Sequence, residues 1–169
     1  NYRTNNGTLQ TFKVDGLNQL TNAVGSTCQY DGNGNLTSNA GITYTYDDEN
    51  QLTFVADEVN HTYRYGYVYD GRGRLKYRQN YAWVYIGLPG YVWQPTDSLR
   101  YIYDGMRVIQ ERIADSPMVS YTRGSDLSGS LEGAGRIGGL LARSHDYMST
   151  NGNWYTHNYY HADGNGNIT

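Results

Sequence analysis

Near the end of the chain Tyr155, His157, Tyr159 and His161 fall on alternate positions, and Asp163 follows two residues later. An imidazole beside a carboxylate can take up and return a proton near neutral pH. In that chemistry His161 would be the base, with Asp163 or Asp146 as its orienting partner. His157 would be a second imidazole, and the Tyr155/Tyr159 row a shelf for the substrate. A hydrolase also needs a nucleophile. Ser125, Ser128 and Ser144 are available, and none stands in a Gly-x-Ser-x-Gly elbow. His145, Glu111 and Glu132 are scattered without a recognised spacing. His157 and His161 lie about 13 Å apart on an extended strand, too far to share one metal ion unless the chain bends. No catalytic motif stands behind these residues, so the expectation leans away from an enzyme.

Two other chemistries suggest themselves. Tyr63, Tyr65, Tyr67 and Tyr69 alternate, as do Tyr81, Trp83 and Tyr85, with Trp93 beyond a turn. Exposed faces of Tyr63, Tyr65, Tyr67, Trp83, Tyr85 and Trp93 could stack on sugar rings, with Asp70, Arg72, Arg74 and Asn80 to bond hydroxyls. Cross-strand aromatic pairs are also how a sheet with few aliphatic residues stabilises itself, and that reading is the stronger. Asp31-Gly32-Asn33-Gly34-Asn35 and Asp163-Gly164-Asn165-Gly166-Asn167 carry oxygen ligands at alternate positions, as a calcium loop does. Leu36 and Ile168 then stand where such a loop needs Gly, and Ile42 stands where it needs a bidentate Glu. No metal or cofactor is expected. Cys28, the single cysteine, excludes an internal disulfide and reads as a semi-buried strand residue.

The elements that must position these residues are hairpins. Alternation from Thr62 to Tyr69 places four phenol rings on one strand face. Asp70-Gly71-Arg72-Gly73 then reads as a reversal, and Leu75 and Tyr77 resume the alternation. The unit is an aromatic residue and an Asp, a turn, then an aliphatic residue. It recurs at Asp15/Leu20, Asp31/Leu36, Asp47/Leu52, Asp70/Leu75, Asp104/Ile109, Asp126/Leu131 and Asp163/Ile168. Tyr30, Tyr46, Tyr69 and Tyr103 directly precede four of these. The first two intervals are both 16 residues, and the later ones are longer, as if the unit carried insertions. The Asp126 copy is the weakest. Leu9 to Val14 reads as an edge strand, and Trp154 to His161 as the last strand.

Tyr-Asp-x-x-Gly-x-Leu hairpins in series resemble the YD repeats of the bacterial Rhs family. Tyr101 to Gly105 and Tyr159 to Ile168 are similar to the Rhs repeat-associated core region, so the resemblance covers nearly the whole chain from about Phe12. It implies an all-β fold in which successive antiparallel hairpins form a curved, twisted sheet, a segment of a β-shell. In the family such a shell encloses a C-terminal toxin or effector. The implied partners are the rest of an Rhs chain and an enclosed polypeptide, and the implied location is bacterial, secreted or cell-surface. In the family the core usually ends in a self-cleaving segment with paired Asp residues and an Asp-Pro motif. None of Pro89, Pro95 and Pro117 follows an Asp, so self-cleavage is not expected of this chain.

Composition sets the remaining bounds. Nineteen Tyr against two Phe, with 21 Gly and three Pro, favours short strands and turns. Helical periodicity is nearly absent, the best stretch being the short, Gly-flanked Gly138 to Ser144. A net charge of −3 supplies no basic footprint for nucleic acid. No apolar run is long enough for a membrane-spanning helix. The chain reads as YD hairpins over 1–113, a Gly-rich irregular connection over 114–153, and a final strand and turn over 154–169. Both ends read as cut from something longer, so unpaired sheet edges would invite self-association.

Overall fold

In the computed structural model, which describes residues 2–130, 133 and 139–163, one turn recurs five times. At Asp15, Asp31, Asp47, Asp70 and Asp126 the Asp N–H donates to the carbonyl four residues on. The N–H three residues on donates back to the Asp carbonyl. The Asp Oδ1 accepts the N–H two residues on, at 2.9–3.0 Å. In the first four, Oδ1 also accepts the N–H of Gln19, Asn35, Gln51 or Arg74. The carboxylate thus takes the amides that the reversal leaves without a ladder partner. The position three residues after the Asp is left-handed in every copy, at Asn18, Gly34, Asn50, Gly73 and Gly129. Only Asn and Gly enter that region readily.

The described chain forms 14 strands: β1 (Tyr2–Asn5), β2 (Thr8–Val14), β3 (Leu20–Ala23), β4 (Ser26–Tyr30), β5 (Leu36–Asn39), β6 (Ile42–Tyr46), β7 (Leu52–Asp57), β8 (Arg64–Tyr69), β9 (Leu75–Tyr85), β10 (Tyr91–Asp104), β11 (Arg107–Ile113), β12 (Ser116–Arg123), β13 (Leu140–Met148) and β14 (Asn153–Tyr159). Each is hydrogen-bonded to the next in chain order and runs antiparallel to it, and no helix occurs among the described residues. The protein is all-β, as the sequence leads one to expect. Two compact units divide the chain, Asn1–Val68 with Arg78–Thr96, and Tyr69–Tyr77 with Asp97–Thr169.

In the first unit the Asp15, Asp31 and Asp47 turns alternate along the chain with two-residue turns at Asn6-Gly7, Val24-Gly25 and Ala40-Gly41. Both residues of each two-residue turn have positive φ, the mirror-image turn that matches strand twist. The meander therefore keeps its Asp turns at one end of the strands and its tight turns at the other. Adjacent Asp turns are tied together, since Asn33 Nδ2 and Asn35 Nδ2 both donate to Asn50 Oδ1, at 3.0 and 2.8 Å. The ladder register shifts at Lys13/Val14, Gln29/Tyr30 and Thr45/Tyr46, immediately before each Asp. Such a bulge re-aims the side chain it carries. The Tyr30 hydroxyl accordingly donates to the Leu20 carbonyl on β3, at 3.0 Å.

In the second unit Asp70 and Asp126 head the same turn, but Asp104 does not. β10 and β11 are joined by the two residues Gly105 and Met106, with Asp104 opposite Arg107 and their side chains paired. Here Arg107 occupies the place that Asn or Gly fills in the five-residue turns. Arg74 links the neighbouring turns, bonding Asp70 Oδ2 through Nε at 2.7 Å and Nη2 at 2.6 Å and the Gly105 carbonyl through Nη1.

Three boundaries differ from the sequence-based expectation. Leu9 to Val14 lies in β2, paired on both sides, and the terminal strand is β1. The segment 114–153 contains two full strands, β12 and β13, of eight and nine residues. Glycines flank these strands rather than interrupt them, and the β-branched and aromatic residues between them pair normally. The last strand ends at Tyr159, so His161 lies beyond it. Leu131, Glu132, Asn165, Asn167 and Ile168 lie outside the described residues, so the aliphatic position expected after the Asp126 turn and the turn expected after Asp163 are not described.

The core is thin. Cys28, Ala56, Leu99, Val119 and Ala142 are the buried hydrophobic residues described, all small or aliphatic. Most Tyr rings are half-buried, and guanidinium groups lie over several aromatic rings: Arg64 over Phe54 and Tyr81, Arg78 over Tyr65, Arg74 over Tyr103, Arg123 over Tyr121. The guanidinium planes themselves lie on the ring faces, so these cation–π pairs supply packing where the described buried hydrophobic residues are few.

Candidate functional site

The imidazoles of the last two strands already have partners. His157 Nδ1 meets the Oγ of the buried Ser144 at 2.8 Å across β13 and β14, and its ring lies along Tyr159. His145 bonds Asn158 Oδ1 at 3.1 Å through Nε2 and Asp146 Oδ2 at 2.9 Å through Nδ1. Asp146 also accepts from Thr156 Oγ1 at 2.6 Å. Those bonds, Thr156's first and His145's second, hold its carboxyl below the usual range. The Ser–His pair and the His–carboxylate pair are therefore separate: Asp146 orients His145, while Ser144 bonds His157. His161 and Asp163 follow β14 as exposed residues. Glu111 accepts the Tyr121 hydroxyl, and Arg143 bonds the same hydroxyl. Burial, then Glu111, pushes that phenol up to about 12, so it is a neutral donor across the physiological range. Each arrangement is a satisfied cross-strand network. Among the described residues no group of three or more His, Cys, Asp or Glu could hold a metal ion.

The aromatic rows come out differently from one another. Tyr63 and Tyr65 stack on each other at 5.5 Å, Arg78 covers Tyr65 at 4.8 Å, and burial raises the phenol pKa of Tyr63 and of Tyr67. The hairpin of β9 and β10 carries the larger cluster. His61 stacks face to face on Trp83 at 4.1 Å and 14°, and its ring stands 6.0 Å from Trp93. Trp83 meets Trp93 at 5.1 Å and Tyr91 at 6.1 Å. Tyr85 and Tyr91 form the outer pair, 5.2 Å apart and tilted by 55°, and are 66% and 58% exposed. Of the six residues expected to offer ring faces, Tyr85 alone is broadly open. Tyr91 joins it.

His61 and Asp57 were not legible as parts of this cluster. Asp57 ends β7 and heads a wider turn. Its Oδ1 accepts the N–H groups of Val59 and Asn60, its Oδ2 accepts the Thr62 hydroxyl at 2.7 Å, and its carbonyl accepts the His61 N–H. Thr62 first, then Asn60, lowers this buried carboxyl to about 2. The turn places His61 at a positive φ of 54°, which carries its ring onto Trp83. The clue in the sequence is an Asp followed by Asn60 and Thr62 without an aliphatic residue at the fifth position.

No protein-family model matches this chain, and no curated protein sequence does.

Proposed function

We propose that the chain is a structural segment of an Rhs-type wall of YD hairpins, one that in a longer protein surrounds a separate polypeptide such as a toxin or effector. One observation carries the reading: among the described residues the same Asp turn is built five times, and each strand pairs only with its chain neighbours. Stability spread along a series of like units suits a wall whose length is set by repetition. The half-buried faces fit a sheet that has solvent or another chain on either side. The satisfied state of Ser144, His157, His145 and Glu111 favours this reading over a hydrolase. The mutual covering of Tyr63, Tyr65, Trp83 and Trp93 favours it over a sugar-binding platform. A bacterial, secreted or cell-surface setting follows from the same resemblance.

The test uses the intact parent protein under limited proteolysis. The enclosed polypeptide should resist cleavage, and should become cleavable when the turns are weakened by Asp31→Ala and Asp70→Ala together. Rapid cleavage of that polypeptide in the unmodified protein would overturn the proposal.

A further inference from the structure

The β9–β10 hairpin ends in a tip that the wall reading does not use. From Gln79 to Thr96 the chain runs 18 residues without one charged side chain. At the apex Leu88 is 99% exposed and Ile86 is 45% exposed, and the outer Tyr85 and Tyr91 flank them. The loop backbone is closed by Ile86 N–H donating to the Gly90 carbonyl at 2.9 Å. Behind this come Trp83 and Trp93, packed on each other and on His61.

Read from the apex inward, the order is aliphatic, then phenol, then indole, with charge first returning at Arg78 and Asp97. A segment that enters a bilayer interface needs this order: aliphatic side chains go deepest, amphipathic rings sit at headgroup level, and charges stay in water. We infer that the tip, through Tyr85, Ile86, Leu88 and Tyr91, docks on a lipid surface. The docking is shallow. The adjoining β7–β8 connection presents Val59 to solvent but also Glu58, whose carboxylate resists dehydration. A sugar fits the tip less well, because Leu88 and Ile86 offer neither a flat ring face nor a hydrogen bond, and His61 already covers a face of Trp83. With no Lys or Arg in the stretch, docking should depend on apolar contact rather than on lipid charge.

The experiment is co-flotation of the whole chain with vesicles of pure phosphatidylcholine, at low and at high salt. The protein should float with the vesicles at both. Leu88→Asp should lower the partition coefficient about tenfold or more, the scale of exposing one buried Leu. Leu88 makes no fold contact that 99% exposure would allow to matter, so the variant should keep the native circular dichroism. Leu17→Asp, at the 80% exposed Leu of the Asp15 turn, should float as the unmodified chain does. Failure of the unmodified chain to float would overturn the inference, as would equal flotation of Leu88→Asp. Two further results would also overturn it. One is self-association in solution that Leu88→Asp abolishes, with no vesicle binding. The other is quenching of tryptophan fluorescence by soluble oligosaccharides, with no vesicle binding.

Discussion

The Tyr103 hydroxyl donates a hydrogen bond to the Leu75 carbonyl at 2.9 Å, as Tyr30 does to Leu20. In both cases the Tyr before an Asp reaches back to the first residue of the preceding strand, where the previous turn releases the chain. The Tyr thus fastens the turn before it, whether the Asp that follows closes an Asp turn, as Asp31 does, or pairs with Arg107 across a two-residue turn, as Asp104 does. Tyr103→Phe and Tyr30→Phe should each destabilise the protein by about 0.5–1.5 kcal/mol, the net worth of one hydrogen bond. Denaturant midpoints would measure this. Tyr85→Phe, whose ring is exposed, should leave the midpoint in place.

The left-handed corner of the Asp turn makes a sharper prediction. Gly73 sits at φ +71°, where Asn18 and Asn50 stand in sister turns. Gly73→Asn should therefore be nearly neutral. Gly73→Ala should cost about 1 kcal/mol, the usual penalty for a β-carbon in that region. Equal losses for the two variants in denaturant melts would remove the turn's conformational requirement.

Gly66 tests packing against propensity. Replacing a strand Gly with Ala ordinarily gains about 0.5–1 kcal/mol in backbone entropy. Here a β-carbon would stand 3.0 Å from Cε1 of Phe54, directly opposite on β7. Arg64 and Tyr81 hold that ring in place, so overpacking of about 1–3 kcal/mol should win. Gly66→Ala should lower the melting temperature, and a raised one would mean that Phe54 yields freely.

Acid should act through Asp57 and Asp70. Thr62 and Arg74 respectively are the first causes that hold these carboxyls at about 2, against an ordinary value of 3.8. A depressed folded pKa gives stability that is present above the ordinary value and lost as pH falls through the folded one. Acid unfolding followed by circular dichroism should thus steepen between about pH 4 and pH 2. Asp57→Asn should be less stable at neutral pH and show a flatter acid limb. In alkali the sign reverses: Tyr121, raised from 10.0 to about 12, contributes stability that is present below the ordinary phenol value and lost as pH rises to the folded one. Tyrosinate absorbance should show its hydroxyl among the last to ionise, and Tyr121→Phe should remove that late step.

Catalysis is the remaining check. A general base removed from a working site lowers turnover by about 10²–10⁴-fold. Assays on ester, glycoside and phosphodiester substrates should show no activity that falls by such a factor in folded His161→Ala or His157→Ala. A loss of that size would point to a working site around β14.

How much of this was written in the sequence depends on the residue. The hairpins were legible because Asp, a Gly or Asn three places on, and an aliphatic residue two further on each answer a local demand of the backbone. Asp104 has the spacing but carries Arg107 at the corner, and there the chain takes a two-residue turn instead. The corner residue is thus a better sign than the Tyr or the Leu. Asp126 read as the weakest copy, yet its Gly129 satisfies the corner and the turn forms. Val24 and Ala40 at positive φ carry no such local sign, since ladder pairing on both sides imposes their conformation. The stacking of His61 on Trp83 joins residues far apart in sequence, and no periodicity reports it.

The neighbour-only pairing of the strands has a consequence for how such a chain can change. A protein with a deep common core cannot lose a segment without opening a hole that every other segment lines. Here the Asp15 and Asp31 turns stand 16 residues apart, and one out-and-back pair of strands separates them. Deleting or duplicating that interval would return the chain to the same end of the sheet, facing the same way, with one partner strand exchanged for an equivalent one. Genes encoding such a meander could drift in length by whole intervals through recombination, and each intermediate would still be a protein that folds.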